Sequence, residues 1–133
     1  LAKQLAQTVL QADEQMCALD FQGGINTIMD FCKRINGYVT ETEPWKVAKD
    51  ESRKVELDAI LYNTAEALRA LAVLLHPVMP ETTEKLWSTI GAKASLGEIK
   101  NQKISEVANW GQLPAGSKVT KTDVLFPRLE ESK

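Results

Sequence analysis

LDAILYNTAEALRALAVLLHP, residues 57–77, is the stretch that decides the fold. Its apolar residues recur at steps of three and four, which places them on one face of an α-helix. That face consists of Leu57, Leu61, Ala65, Leu68, Ala72 and Leu75. The second half of the stretch is apolar nearly all round apart from Glu66 and Arg69. We therefore predict a long central helix, mostly enclosed, that runs from about Asp50, a good N-cap, and ends before Pro77.

Two amphipathic helices precede this one. Asp20 is a plausible N-cap for the second of them, because its carboxylate can accept hydrogen bonds from backbone N–H groups of the first turn. That helix must stop by Pro44, whose ring disfavours helical geometry at the preceding residue. The apolar faces of the two helices are Leu1, Leu5, Val9, Ala12 and Met16, and Phe21, Ile25, Ile28, Cys32, Ile35 and Val39.

The C-terminal third of the chain has a different texture. Pro80 is favoured at a first helical position and predicts a short helix that ends at Gly91. Beyond it we expect mostly loop, with one short helix around Ser105 to Asn109 and a strand-like stretch around Val124 to Pro127. The predicted fold is all-α. An antiparallel helical bundle spans residues 1–91, and a mostly irregular C-terminal extension, residues 92–133, wraps it within the same domain.

Composition limits the possible functions. The chain has 133 residues and a net charge of −2, which excludes the uniformly basic surface of non-specific nucleic-acid binders. Its longest apolar run is far shorter than the roughly 20 residues of a membrane span, so we expect no membrane partner. Any nucleic-acid role therefore needs a local site.

The sequence offers poor material for a catalytic or metal site. It contains no Gly-rich phosphate loop, no histidine pair and no nucleophile elbow. Cys17 and Cys32 fall on apolar helical positions, which favours buried free thiols over a disulfide or a nucleophile. The single histidine, His76, ends a buried helix, where a structural role is favoured. We predict no catalytic residue and no metal ligand.

NGYVTETEPWKVAK, residues 36–49, is the exceptional segment. Trp45 belongs to neither neighbouring apolar face, and an exposed indole can stack on a nucleotide base with about 1–3 kcal/mol. The residues alone leave an alternative in which Trp45 plugs the end of the bundle and Pro44 merely turns the chain. Tyr38 is equally ambiguous, as a core-edge ring whose hydroxyl reaches outward. Around the segment stand six basic and four acidic residues: Lys33, Arg34, Lys46, Lys49, Arg53 and Lys54, against Glu41, Glu43, Asp50 and Glu51.

Three runs of sequence carry a family resemblance: CKRINGYVTETEPWKVAKD, LDAILYNTAEALRALAVLLHPVMPETTEKLW and WGQLPAGSKVTKTDVLFPRLE. Together they resemble the anticodon-binding domain of bacterial methionyl-tRNA synthetases, from about Phe21 to Glu130. The Asn-x-Tyr followed by Pro-Trp-Lys is shared loosely with isoleucyl and related class I synthetases. The helix start at Pro77 to Glu81, the Trp110-Gly111 loop and the LFPRLE ending narrow the resemblance to the methionyl family.

The resemblance implies a helical bundle that reads the CAU anticodon of methionine tRNAs. Trp45 matches the family's tryptophan that stacks on the first anticodon base, a cytosine, and Pro44 matches the proline that fixes the loop beside it. Asn36 and Tyr38 also match family positions and are expected to hold the loop. Lys46, Lys49 and Arg53 are expected to supply phosphate contacts, which position RNA without selecting it.

The resemblance also implies partners and cofactors for a longer enzyme. The partners are the anticodon loop of tRNA(Met) and the enzyme's own catalytic domain, towards which Phe126, Arg128 and Leu129 are expected to return. The parent ligase uses ATP with Mg²⁺, and structural zinc is a family feature, whereas this chain is expected to hold no cofactor. Since no initiating Met is present, we expect a piece of a longer, cytoplasmic ligase. The resemblance implies that this piece is not catalytic alone. It also implies that the family's preceding helix, which bears an Asn and an Arg, is not part of it.

Two alternatives remain at this point. One is the anticodon-binding domain of a related class I synthetase. The other is a helical protein–protein docking module that uses an apolar groove. An RNA reader should keep Trp45 accessible and flanked by basic side chains, whereas a docking bundle would bury it. A small independent enzyme is disfavoured by the lack of catalytic residues.

Overall fold

Seven α-helices and two 3₁₀ turns make up the part of the chain that the computed structural model describes, residues 1–121 and 125–126. No strand occurs in these ranges, which confirms the predicted all-α class. None of the described helices is both long and apolar enough to cross a bilayer. The α-helices are α1 (Ala2–Cys17), α2 (Phe21–Thr42), α3 (Pro44–Val47), α4 (Lys54–Leu75), α5 (Pro80–Thr89), α6 (Ala92–Leu96) and α7 (Ile104–Val107), and the 3₁₀ turns are Glu51–Arg53 and Ile99–Asn101.

Helices α1 and α2 form an antiparallel hairpin. Asp20 caps α2 as predicted, since its side chain accepts a 3.0 Å hydrogen bond from the backbone N–H of Gly23. Across the hairpin, the Gln15 amide and the Thr27 hydroxyl lie 2.6 Å apart. Gly24 is buried beneath the Met16 side chain, so the absent Cβ lets the two helices approach closely.

Helix α4 lies at the centre, between two groups of buried side chains. The enclosure predicted for its second half is confirmed, because Ala67, Ala70 and Ala72 are fully buried. Leu61 was predicted on its buried face but is 52% exposed, because it lies towards the open first half of the helix. One core contains Leu5, Val9, Ile28, Phe31, Ile35, Leu71 and Leu74, and the other contains Ala72, Trp87, Ile90, Ala92, Ile99 and Leu113.

The two charged residues inside α4 form a buried ion pair. Glu66 is 0% and Arg69 1% exposed, and Oε1 of Glu66 accepts from Nε of Arg69 at 2.8 Å. The same oxygen accepts from the backbone N–H groups of Gly111 at 2.9 Å and Gln112 at 3.0 Å. Oε2 accepts from the N–H of Leu113 at 3.1 Å. One carboxylate therefore ties three consecutive residues of the C-terminal region to the central helix.

Arg69 and Tyr62 tie the same region from other directions. Nη2 of Arg69 donates to the carbonyl oxygens of Val107 at 3.0 Å and Asn109 at 3.3 Å. The Tyr62 hydroxyl donates to the carbonyl oxygen of Leu113 at 2.7 Å. Burial, helped by the charge of Glu66, raises the pKa of the Tyr62 phenol above its ordinary value.

Residues 92–121 are more ordered than the sequence indicated. The predicted short helix is present at Ile104–Val107, while α6 and the 3₁₀ turn at Ile99–Asn101 were missed because each is too short to show periodicity. Of the strand-like stretch predicted around Val124–Pro127, Leu125 and Phe126 form a bend and the rest lies outside the described residues.

The cysteine prediction was partly wrong. Cys17 and Cys32 are both free thiols, but Cys17 is exposed and Cys32 is half-buried. Cys17 is the last residue of α1, and its thiol lies near its own helix, 3.9 Å from Oδ1 of Asp13. The apolar pattern of α1 therefore extends to Cys17, but no neighbouring element covers that residue among the described parts of the chain.

His76 has a structural environment. Its Nδ1 lies 2.8 Å from the hydroxyl oxygen of Thr83, which itself donates to the carbonyl oxygen of Met79 at 2.8 Å. Because the threonine proton is used by Met79, the hydroxyl oxygen can accept from a protonated Nδ1. The ring thus links the end of α4 to α5 across a short connection.

Replacing Glu66 by Gln should lower the free energy of unfolding by about 3–5 kcal/mol, because it leaves the buried Arg69 without its counter-charge. Urea unfolding followed by far-UV circular dichroism measures the loss. Glu98→Gln is the control, since Glu98 pairs with Lys93 at 3.6 Å on an open surface, and should cost about 1 kcal/mol or less. Equal losses in the two variants would contradict the central role of Glu66.

Candidate nucleic-acid interface

The candidate interface begins where α2 gives way to α3. Pro44 lacks a backbone N–H and cannot continue α2, which ends at Thr42 as predicted. A proline is favoured at the first position of a helix, and Pro44 begins the single turn of α3. The sequence predicted a loop here, but the segment contains a helical turn joined to α2 through one residue, Glu43.

Trp45 is displayed to solvent by this turn. The residue is 52% exposed, whereas Val47 is 2% exposed. Side chains two positions apart on a helix point in directions that differ by about 200°. Because Val47 points into the core, Trp45 points outward. The residue buried at this position is therefore Val47, and Trp45 has the accessibility that an RNA reader requires.

The basic residues around Trp45 are mostly neutralised. Four of the six cations counted in the sequence form ion pairs at the surface. Two of their partners, Asp30 and Glu56, lie outside the segment and bring the local count to six charges of each sign. The predicted basic excess is thus cancelled in the folded chain. The pairs are Lys33–Asp30 at 3.2 Å, Arg34–Glu41 at 3.3 Å, Lys46–Glu43 at 2.8 Å and Arg53–Glu56 at 2.7 Å.

The three predicted phosphate ligands differ in how free they are. Arg53 is held through two nitrogens by Glu56, at 2.8 and 2.7 Å. Arg53 and Lys46 both line an open depression of about 370 Å³ between the end of α2, α3 and the start of α4. Lys49 is exposed and makes no ion pair with any residue in the described ranges.

Asn36 and Tyr38 lie on α2 and not in the connection. Asn36 is exposed, about 9 Å along the axis from the end of α2 at Thr42. Tyr38 is half-buried, and its hydroxyl oxygen accepts from Nδ2 of Asn63 on α4 at 3.3 Å. Tyr38 therefore joins α2 to α4 near the candidate interface, while Asn36 is exposed.

A family model described as the anticodon-binding domain of tRNA ligase matches residues 1–122. The chain belongs to this family. This anticodon-binding domain is also similar to curated proteins named methionine–tRNA ligase. The relative from Streptomyces coelicolor is 57% identical over 96% of this chain and 24% of its own length. Those from Clostridium acetobutylicum and Caldanaerobacter subterraneus are 39% and 35% identical over 91% and 100% of this chain, and 18% and 19% of their own lengths.

These matches favour similarity to the methionine–tRNA ligases over similarity to the related class I synthetases. The domain spans about a quarter or less of the length of these relatives. Within residues 1–121 and 125–126, no group of three or more His, Cys, Asp or Glu side chains is placed to hold a metal ion.

The charge count made from the sequence omitted two acidic residues of the interface, Asp30 and Glu56, and did not indicate the backbone conformation of a third, Glu43. Asp30 and Glu56 each stand three positions from a cation on the same helical segment, a spacing that indicates pairing and could have revealed them. Glu43 occupies the junction between α2 and α3 with its backbone in the left-handed region. Nothing in the local sequence marks that conformation, because a glycine or asparagine is its usual signal.

Asp50 caps the 3₁₀ turn that leads from the interface into α4. Its Oδ1 accepts from the Ser52 hydroxyl at 2.6 Å and from the Ser52 backbone N–H at 3.0 Å. These bonds, the hydroxyl bond above all, lower the pKa of Asp50. The stabilisation that these bonds give is therefore fully present above the pKa that Asp50 has in the unfolded chain. It is lost as the pH falls through the lower pKa that Asp50 has in the folded chain.

Replacing Ser52 by Ala should raise the pKa of Asp50, because the hydroxyl bond to the ionised carboxylate is lost. The backbone bond remains, so the pKa should recover only part of the way to its ordinary value. An NMR pH titration of the Asp50 carboxyl carbon measures the shift. Ser88→Ala, which changes an exposed serine on α5, should leave it unchanged. An unchanged Asp50 titration in Ser52→Ala would contradict this cause.

Proposed function

We propose that this domain reads the CAU anticodon of methionine tRNAs as part of a methionine–tRNA ligase. The observation that carries the proposal is the half-exposed Trp45 on a one-turn helix anchored by a buried Val47. The family match and the names of the relatives support an RNA-binding function over protein–protein docking. The docking alternative required a buried Trp45 and is not supported by this exposure.

Stacking on Trp45 is the proposed selective contact. Single-stranded bases that are splayed out of a loop can be held on an aromatic ring while polar groups address their edges. The first anticodon base, a cytosine, would lie on the exposed indole face. Asn36, exposed on α2, is the proposed polar neighbour, while Tyr38 links α2 to α4 through Asn63.

Phosphate contacts play a smaller part in this proposal. Lys49, which has no ion-pair partner among the described residues, is available to a phosphate, whereas Lys46 and Arg53 would exchange a carboxylate partner for one. Their ion pairs are exposed, and exposed pairs hold weakly enough for such an exchange. The domain therefore gains little sequence-independent affinity from charge.

Other steps of the ligase reaction belong to parts of the enzyme outside this chain. In this proposal a catalytic domain forms methionyl-tRNA from ATP, methionine and tRNA in the cytoplasm, and ATP, Mg²⁺ and structural zinc are bound there. The described residues of this domain offer no metal-binding cluster. Its contribution is recognition of the tRNA at a distance from the chemistry.

Replacing Trp45 by Ala should weaken binding of a hairpin RNA with a CAU loop by about 1–3 kcal/mol, or roughly 5- to 150-fold, through loss of stacking. Fluorescence anisotropy of labelled RNA measures the affinity. Phe126→Ala is the matched control, because Phe126 is 66% exposed beside Met79–Thr82, beyond the opposite end of α4. Equal affinities of Trp45→Ala and the unchanged protein would remove Trp45 from the interface.

Changing the first base of the anticodon should reveal selectivity. A hairpin with another base in place of that cytosine should bind the unchanged protein about 1–3 kcal/mol more weakly. The same base change should cost much less in Trp45→Ala, because the ring that holds the base is gone. Equal binding of the two hairpins by the unchanged protein would contradict CAU reading.

A further inference from the structure

The residue before Pro44 has an unusual backbone conformation. Glu43 has φ 44° and ψ 59°, in the left-handed region. Side chains other than glycine and asparagine rarely adopt that region because the Cβ approaches the following carbonyl. A residue before a proline normally takes an extended conformation. Glu43 therefore stores backbone strain at the one residue that joins α2 to the turn carrying Trp45.

Backbone hydrogen bonds on both sides hold Glu43 in place. Its N–H donates to the carbonyl oxygen of Val39 at 3.0 Å, which closes the last turn of α2. Its own carbonyl oxygen accepts from the N–H groups of Lys46 at 2.8 Å and Val47 at 3.2 Å, which begins α3. Its carboxylate lies 2.8 Å from Nζ of Lys46. The same residue ends one helix and starts the next.

The change of direction between the helices is therefore concentrated in one pair of dihedral angles. Pro44 fixes the next φ near −65° and leaves little freedom beyond the junction. Val47, 2% exposed, anchors the far end of the turn. With the proline and the anchor in place, the dihedral angles of Glu43 determine where the indole of Trp45 points.

We propose that Glu43 is a positioning residue whose left-handed backbone sets the direction of Trp45 for selective stacking. This inference rests on the proposed function. The backbone and not the charge is the operative feature, because the carboxylate is paired with Nζ of Lys46 and offers RNA phosphates no attraction. Strain of this kind persists where surrounding structure maintains it and is common at binding sites.

A series at position 43 separates conformation from charge. Glu43→Gly and Glu43→Asn remove the carboxylate but tolerate the left-handed region. Glu43→Ala tolerates it less well, and Glu43→Val disfavours it most strongly because its side chain is β-branched. Each variant is compared with the unchanged protein at a temperature where circular dichroism shows all of them folded. If Glu43→Val does not fold, the contrast between Asn and Ala decides the outcome.

Two measurements report the position of Trp45. Acrylamide quenching reports the exposure of its indole, with Trp45→Phe supplying the background from Trp87 and Trp110. Hairpin RNAs with cytosine or another base at the first anticodon position report selectivity. We expect the Gly and Asn variants to stay within about twofold of the unchanged protein, and Val to lose about tenfold in selectivity with altered quenching.

Leu19 supplies a matched control. It is the other non-glycine residue with positive φ in the described part of the chain, at 63°, and it lies between α1 and α2. Leu19→Gly and Leu19→Val make the same demands on the backbone away from Trp45. They should shift the unfolding midpoint and leave both quenching and selectivity unchanged.

The outcomes distinguish this inference from the proposed function. If Glu43→Val keeps both quenching and selectivity, or if all neutral variants change affinity alike, the positioning role is wrong. If the unchanged protein shows no selectivity, the proposed function fails. The quenching order then decides the positioning role by itself, because it is measured without RNA.

Discussion

Satisfying one buried carboxylate constrains the arrangement of the whole domain. An ionised side chain out of contact with water costs several kcal/mol unless its oxygens are fully hydrogen-bonded. Glu66 meets that requirement with Arg69 and with the backbone of residues 111–113. Those donors are available only when the C-terminal region lies against α4. Residues 108–121, which contain no helix, thus acquire one defined position against α4.

The same central helix positions the candidate interface. Near its start, Ile60 lines the depression shared with Val47 of α3, and Asn63 bonds Tyr38 of α2. The helices on either side of Glu43, α2 and α3, therefore both pack against α4. This packing allows the strained junction between them to persist. The turn that carries Trp45 is anchored to the core of the bundle through Val47, because the exposed ion pairs around it are too weak to hold it.

Sequence reasoning predicted the elements whose signals are local. Asp20, Pro44 and Pro80 mark helix ends by chemistry that acts within one turn, and the periodicity around Ala67 requires no knowledge of its neighbours. The acceptor role of Glu66 could not be predicted in the same way, because its partners lie 45 to 47 residues away. At the candidate site, the residues indicated that Trp45 belongs to no apolar face, and the resemblance supplied its proposed role. The conformation of Glu43 was beyond reach, because no glycine or asparagine marks it and the proline that follows normally favours an extended backbone.

The neutralised surface around Trp45 is consistent with a division of labour in RNA recognition. Phosphate contacts hold any sequence, whereas a stacked base with addressed edges distinguishes one sequence from another. A strongly basic surface beside the ring would raise the affinity for correct and incorrect anticodons alike, and so would leave their ratio unchanged. Lys46 is paired with Glu43 and Arg53 with Glu56, and these pairs limit the affinity that does not depend on the RNA sequence. In the interface that we propose, the binding energy that remains comes mainly from the base stacked on Trp45, and this contact distinguishes one anticodon from another.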